Sequence, residues 1–157
     1  MIFREYDLES KKREVLAREI LAICRARNHK FLIGKNLQLA RKLRADGVHF
    51  SDRDHLPLQI FNRQNWPRKF IFSFACHNFL SVLKSQRLKA DMIFVSPVFT
   101  TRSHPNIAPL GLRELSKIIC VSKIPIFALG GVDEKNIHSL RKLGIAGFGG
   151  IGLFCDR

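Results

Sequence analysis

The sequence predicts an α/β fold on a parallel sheet of seven strands, and three observations predict it. Seven short apolar runs alternate with six segments of helical spacing over the 157 residues. Each link between runs is long enough for the helical crossover that parallel strands need. Glycines or hydroxyl-rich turns close the runs, as in "KFLIG", "FALGG" and "FGGIG", where strands give way to loops.

The elements follow in order. "IFR" at 2–4 reads as the end of a strand. From Leu8 to Arg27 apolar residues fall at 8, 15, 16, 20, 21 and 23, a helical spacing with Asp7 as candidate cap. "KFLIG" at 30–34 is a buried strand, and "NLQLARKLRAD" at 36–46 a helix with Asn36 as candidate cap. "GVHF" at 47–50 is a strand, and "DHLPLQIFNRQ" at 54–64 a short helix despite Pro57. "KFIFSFA" at 69–75 is a strand, followed by a helix at 77–89 and the strand "DMIFVSPVF" at 91–99. "LGLRELSKIICV" at 110–121 is a helix, "IPIFALGG" at 124–131 a strand, and 133–144 a helix closed by Gly144. "GFGGIGLF" at 147–154 is the last strand.

An open doubly wound sheet and a (β/α)8 barrel both fit this order. The first βα turn lacks the GxGxxG of dinucleotide-binding sheets. A barrel places its ligands on the loops after the strands. There the stretch "VSPVFTTRSHPNIAPLGL" puts hydroxyls, one arginine and one histidine after a buried strand, and such groups suit phosphate oxygens. The glycine pairs Gly130–Gly131 and Gly149–Gly150 end two consecutive strands. Bare backbone N–H groups at such turns suit a phosphate.

Hydrophobic residues make up 46% of the chain, a globular composition. No apolar run reaches the ~18 residues of a membrane span. Charges arrive by residue 4, against a secretory leader, so a cytoplasmic location is expected. Cys24, Cys76, Cys120 and Cys155 form no CxxC pair, which argues against zinc and redox motifs. The net charge of +14 is spread without a basic block, and the phenylalanines sit in apolar runs. Nucleic acid is therefore not the expected partner.

Taken together, "REYDL", "ADGVHFSDRD", "CHN", "SPVFTTRSHP", "PLGLREL", "IPIFALGGV" and "IAGFGGIGLF" make the chain resemble the thiamine phosphate synthase family, which includes the thiazole tautomerase TenI. The resemblance runs from Phe3 to Phe154 as one domain over 1–157 and implies an incomplete (β/α)8 TIM barrel. It implies a role in thiamine assembly: coupling a hydroxymethylpyrimidine diphosphate to a thiazole phosphate, tautomerising a thiazole carboxylate phosphate, or binding such a ligand without turnover. Arg4 matches a substrate-binding arginine, while Ile2 and Tyr6 replace a glutamine and a lysine. Gly34-Lys35 stands where the family has an Asn-Asp pair whose aspartate binds Mg2+. Asp54, with Asp52 as the alternative, matches a second magnesium carboxylate, and either is equally a helix cap.

Ala75 replaces a serine, and its neighbour His77 takes the place of the tautomerase acid or base. Thr101 and Ser103 match a hydroxyl pair, with Arg102 between them counted in the binding set, and His104 replaces a pyrophosphate-binding lysine. Gly131, Ile151 and Gly152 match the backbone cradle for the thiazole phosphate, the expected small-molecule partner. Relative to the family barrel, the first βα unit and the last helix are missing, about 50 residues. A start codon upstream, a decaying gene or a partner chain each account for that. Open strand edges make self-association an expectation.

Overall fold

The computed structural model describes residues 1–54, 56–102 and 105–150. Its seven strands follow one another in chain order in the sheet, as the alternation predicts. The chain divides into two compact units, Met1–Ser73 and Phe74–Arg157.

In the first unit β1 (Ile2–Phe3), β2 (Leu32–Gly34) and β3 (Gly47–Ser51) run parallel. Phe3 is level with Ile33, and Gly34 with His49. Phe3, Phe31, Ile33, Val48, Phe50 and Phe72 form the buried centre. Helix α1 (Ser10–Ala26) buries Ala17, Leu21 and Cys24, spaced four and three apart. Val15 and Ile23, which the apolar spacing also gathers, face outward. Glu9 rather than Asp7 takes the cap position of α1, and its side chain makes no capping bond.

Helix α2 (Leu37–Leu43) starts as expected, with Asn36 Oδ1 accepting from Leu39 N–H at 2.8 Å. It ends at Arg44 in the left-handed region. The helix expected over 54–64 resolves instead into two 3-10 turns, Leu58–Phe61 and Arg63–Asn65. The cause is local. Pro57 is extended at the first turn, and Asn62 breaks the path at φ −66°, ψ 110° while its own Oδ1 takes Gln64 N–H. The turns are pinned by Trp66, which stacks on Phe70 and donates Nε1–H to Ile60 O at 2.6 Å.

Strand β4 (Ile71–Cys76) begins in the first unit and ends in the second. Within the second, β5 (Met92–Val95), β6 (Ile126–Leu129) and β7 (Gly147–Gly149) run parallel, with Val95 level with Ala128 and Leu129 with Gly149. Helix α3 (Phe79–Arg87) starts two residues later than its pattern suggests. Asn78 caps it in a reciprocal box with Ser81. Helix α4 (Gly111–Val121) buries Leu115 and Ile118.

The strand expected over 91–99 stops at Val95, because Pro97 has no N–H to continue a ladder. Helix α5 shrinks to Ile137–Arg141, because Asp133 Oδ1 takes the N–H groups of Lys135 and Asn136 and holds a turn there. Gly144 closes that segment at φ +74°. The last strand is described only as far as Gly149, and residues 151–157 lie outside the described residues. Cys24 and Cys76 are buried, whereas Cys120 is exposed. Among the described residues no helix is long and apolar enough to cross a membrane.

Candidate functional site

In the second unit the site is built around the chain that leaves β5. Val98 N–H donates to Leu129 O at 2.9 Å and Phe99 N–H to Gly130 O at 3.0 Å. The loop is thereby zipped onto the end of β6. Further along, Leu110 N–H and Gly111 N–H return to Pro97 O and Val98 O, so both ends of the loop are tied to one place.

This close approach demands glycine. Gly130 has φ +85°, and a Cβ there would lie 2.7 Å from Pro97 Cα. Gly131 has φ +67°, and its Cβ would run into Thr100 O and lie 2.7 Å from Phe99 O. The carbonyl of Gly131 accepts from Asn136 Nδ2 at 2.8 Å, and Asn136 Oδ1 in turn accepts from Asp133 N–H. The turn after β6 therefore has a fixed backbone. Thr101 and Arg102 follow directly on Thr100, half-buried and exposed respectively. Ser103, His104, Ile151 and Gly152 lie outside the described residues.

His77 lies at the end of β4, on the residue before the α3 cap. Its backbone N–H donates to Ser81 Oγ at 3.1 Å, and its ring Nδ1 lies 2.6 Å from Ser96 O. A carbonyl only accepts, so Nδ1 carries the proton and in the neutral ring Nε2 is the open acceptor. Ser96 is bonded to Pro97, which packs on Gly130. The sequence-derived residues His77 and Gly131 are thus connected through a four-residue path, Ser96 to Phe99. Sequence reasoning missed Ser96 O and Asn136. A backbone carbonyl leaves no mark in a sequence, whereas Asp133 followed three residues later by Asn136 is a turn signal.

The other two sequence-derived residues, Arg4 and Asp54, lie in the first unit. Arg4 follows β1, and Lys35 follows β2 in the left-handed region at φ 57°, its N–H on His49 O at 2.9 Å. The Tyr6 ring centroid has the Arg4 guanidinium at 5.9 Å, that of Arg13 at 5.4 Å and the Lys35 ammonium at 5.6 Å. Gly34 makes room for this ring, since a Cβ there would strike the Tyr6 hydroxyl. Arg13 Nη2 donates to Gly34 O at 2.9 Å. His49 is buried against Ser73 Oγ at 2.9 Å. Burial, then the positive charge of Arg4, push its pKa down to about 4, with Lys35 adding to this and Asp54 opposing it.

Lys35 Nζ lies 3.0 Å from Asp54 Oδ1, and Asp54 Oδ2 accepts Ser51 N–H at 2.7 Å. Asp54 thus closes a local turn and neutralises a lysine. Magnesium needs several oxygen ligands around it. Among the described residues no group of three His, Cys, Asp or Glu could hold a metal. On Asp54 the Lys35 ammonium already occupies a position a cation would take.

Comparison with known proteins adds the lineage of this arrangement. Residues 1–152 match the family model of thiamine monophosphate synthase. A protein of Aquifex aeolicus named "Putative thiamine-phosphate synthase 2" is 33% identical over 98% of this chain and 81% of its own length. The thiamine-phosphate synthase of Latilactobacillus sakei is 33% identical over 83% of this chain, which spans 58% of that relative. Among solved structures, a thiamine phosphate pyrophosphorylase from Pyrococcus furiosus superposes with a TM-score of 0.78, at 21% identity, over 96% of this chain and 70% of that one. At that identity the likeness is one of fold.

Proposed function

The chain belongs to the thiamine monophosphate synthase family, and from that premise we propose that it acts on a phosphorylated thiazole in thiamine assembly, moving a proton rather than forming the pyrimidine–thiazole bond. The observation that carries this reading is the His77 ring held at 2.6 Å by Ser96 O, on the same short path whose Pro97 packs on Gly130. A base and a glycine turn suited to a phosphate then belong to one built piece of backbone.

In this reading the phosphate sits at the turn after β6, on the backbone at Gly131 with Thr101 and Arg102 beside it. Ser103, His104, Ile151 and Gly152 complete the proposed set from sequence alone. The open Nε2 of His77 takes a proton from the thiazole ring, and the electron pair stays in the ring as a delocalised anion. The imidazolium then returns a proton at another ring position. The product is an isomer of the substrate, and no cofactor is consumed. His77 suits both halves because an imidazole can take a proton on one nitrogen while the other keeps its own.

The coupling of two halves is the second reading, favoured by Arg4 and Lys35 as cations for a departing diphosphate. The pairing of Asp54 with the Lys35 ammonium weighs against it. The single-domain reading is supported by a family match that runs across both units. Self-association through β1 and β7, the end members of the strand order, stays part of the proposal.

One experiment separates the readings. The full chain is given thiazole carboxylate phosphate and followed by NMR, then pyrimidine diphosphate with thiazole phosphate and assayed for thiamine phosphate, each with and without magnesium. Isomerisation that ignores magnesium supports the proposal. Thiamine phosphate formation instead establishes coupling, and saturable binding without either product leaves a ligand-binding protein.

A further inference from the structure

In the first unit, α2 and the two 3-10 turns border a cavity of about 180 Å³, lined by Leu37, Gln38, Arg41, Ile60, Asn65 and Trp66. Its size suits one aromatic ring with a small substituent, since an apolar cavity of about 150 Å³ takes benzene. Leu37, Ile60 and Trp66 give it apolar walls, and the fold holds them in place. Trp66 is buried, stacks on Phe70 and donates Nε1–H to Ile60 O. Asn36 caps the helix turn that carries Leu37.

One group in this wall is charged. The Arg41 guanidinium lies over the Trp66 ring, 4.2 Å from its centroid, and Nη2 donates to Asn65 O at 3.3 Å. Elsewhere in this unit cations rest on carboxylates: Arg18 and Lys42 on Glu14, Lys30 on Asp46 and Lys35 on Asp54. Arg41 meets no carboxylate among the described residues. Neither α2 nor the stretch 55–70 contains an aspartate or glutamate, whereas Arg63, Arg68 and Lys69 join Arg41 there. A guanidinium over an indole keeps N–H groups at its edge for a planar partner, and a carboxylate matches that fork. We infer that this cavity binds a small aromatic monocarboxylate, its ring among Leu37, Ile60 and Trp66 and its carboxylate on Arg41. The inference stands on this unit's geometry and does not depend on thiazole chemistry in the other unit. An inorganic anion would leave the apolar walls uncovered. A nucleic-acid strand would need an open aromatic face to stack on, and Trp66 is already covered by Arg41 and Phe70.

The test follows the Trp66 indole N–H in proton–nitrogen correlation spectra of the full chain, titrated with benzoate at constant ionic strength. Trp66 is the only tryptophan in the chain, so its signal reports on this cavity directly. Benzoate is expected to shift it saturably. Acetate, the charge without the ring, and benzyl alcohol, the ring without the charge, should each bind about tenfold or more weaker. Arg41→Met keeps an apolar stem over the indole and removes the fork. Benzoate should then weaken about tenfold or more, with benzyl alcohol unchanged, and circular dichroism checks the fold of the variant. No saturable shift with benzoate, acetate or benzyl alcohol binding as well as benzoate, or unchanged benzoate affinity in Arg41→Met overturns the inference. So does a single-stranded oligonucleotide that displaces benzoate at lower concentration, since it would make the ligand a nucleic acid.

Discussion

At the scale of single residues, His77 and Gly131 make separable demands. His77→Gln keeps the α3 entry and removes the base, so turnover of the thiazole substrate should fall ~10²–10⁴-fold while its binding is retained. Gly131→Asp puts bulk and negative charge against Thr100 O, so thiazole phosphate binding, followed by calorimetric titration, should vanish. Unchanged turnover in the first variant, or unchanged binding in the second, removes that residue from the site. His49 gives a third test. Its pKa in the fold, about 4, lies below its ordinary 6.5. Between these values the unfolded chain takes up a proton that the native fold refuses. Stability from this residue is therefore complete above pH 6.5 and is lost as pH falls towards 4, by about 3 kcal/mol in all. Urea melts from pH 7 down to 5 should show that slope, and His49→Gln should flatten it. The role of His77 comes from the resemblance, whereas the places of His77 and Gly131 at strand ends were legible in the sequence. Ser96 O was not, since any residue supplies a carbonyl.

At the scale of elements, α3 ties stability to the candidate base. Asn78 Oδ1 accepts Ser81 N–H at 2.9 Å, and Ser81 Oγ accepts the N–H groups of both Asn78 and His77. Asn78→Ala should cost ~1 kcal/mol in chemical denaturation and loosen the backbone that carries His77, lowering turnover as well. A loss of stability with wild-type turnover would separate cap from base. Helices with a broad buried face and an Asx start, α2 and α3, were legible to within one to three residues at each end. The stretch 54–64 and the start of α5 were not. There Asn62 and Asp133 spend their side chains on local N–H groups, a competition with helix that apolar spacing does not reveal.

At the scale of the whole molecule, the +14 net charge is a self-repulsion that salt relieves. Raising the salt from about 10 mM to about 150 mM shortens the screening length from about 30 to about 8 Å. The melting temperature should therefore rise by a few degrees, on the order of 1 kcal/mol. A fall would show that the ion pairs of Glu14 and Asp46 outweigh the excess of like charge. The alternation of runs made the parallel class legible, because each long link leaves no other way to connect neighbours. The strand order carries a further consequence. β1 meets β2, β2 meets β3, β5 meets β6 and β6 meets β7, each partner being the next strand along the chain. A polypeptide emerging from a ribosome can thus lay down its pairings in the order of synthesis, without waiting for distant sequence and with little loop entropy to overcome at each addition.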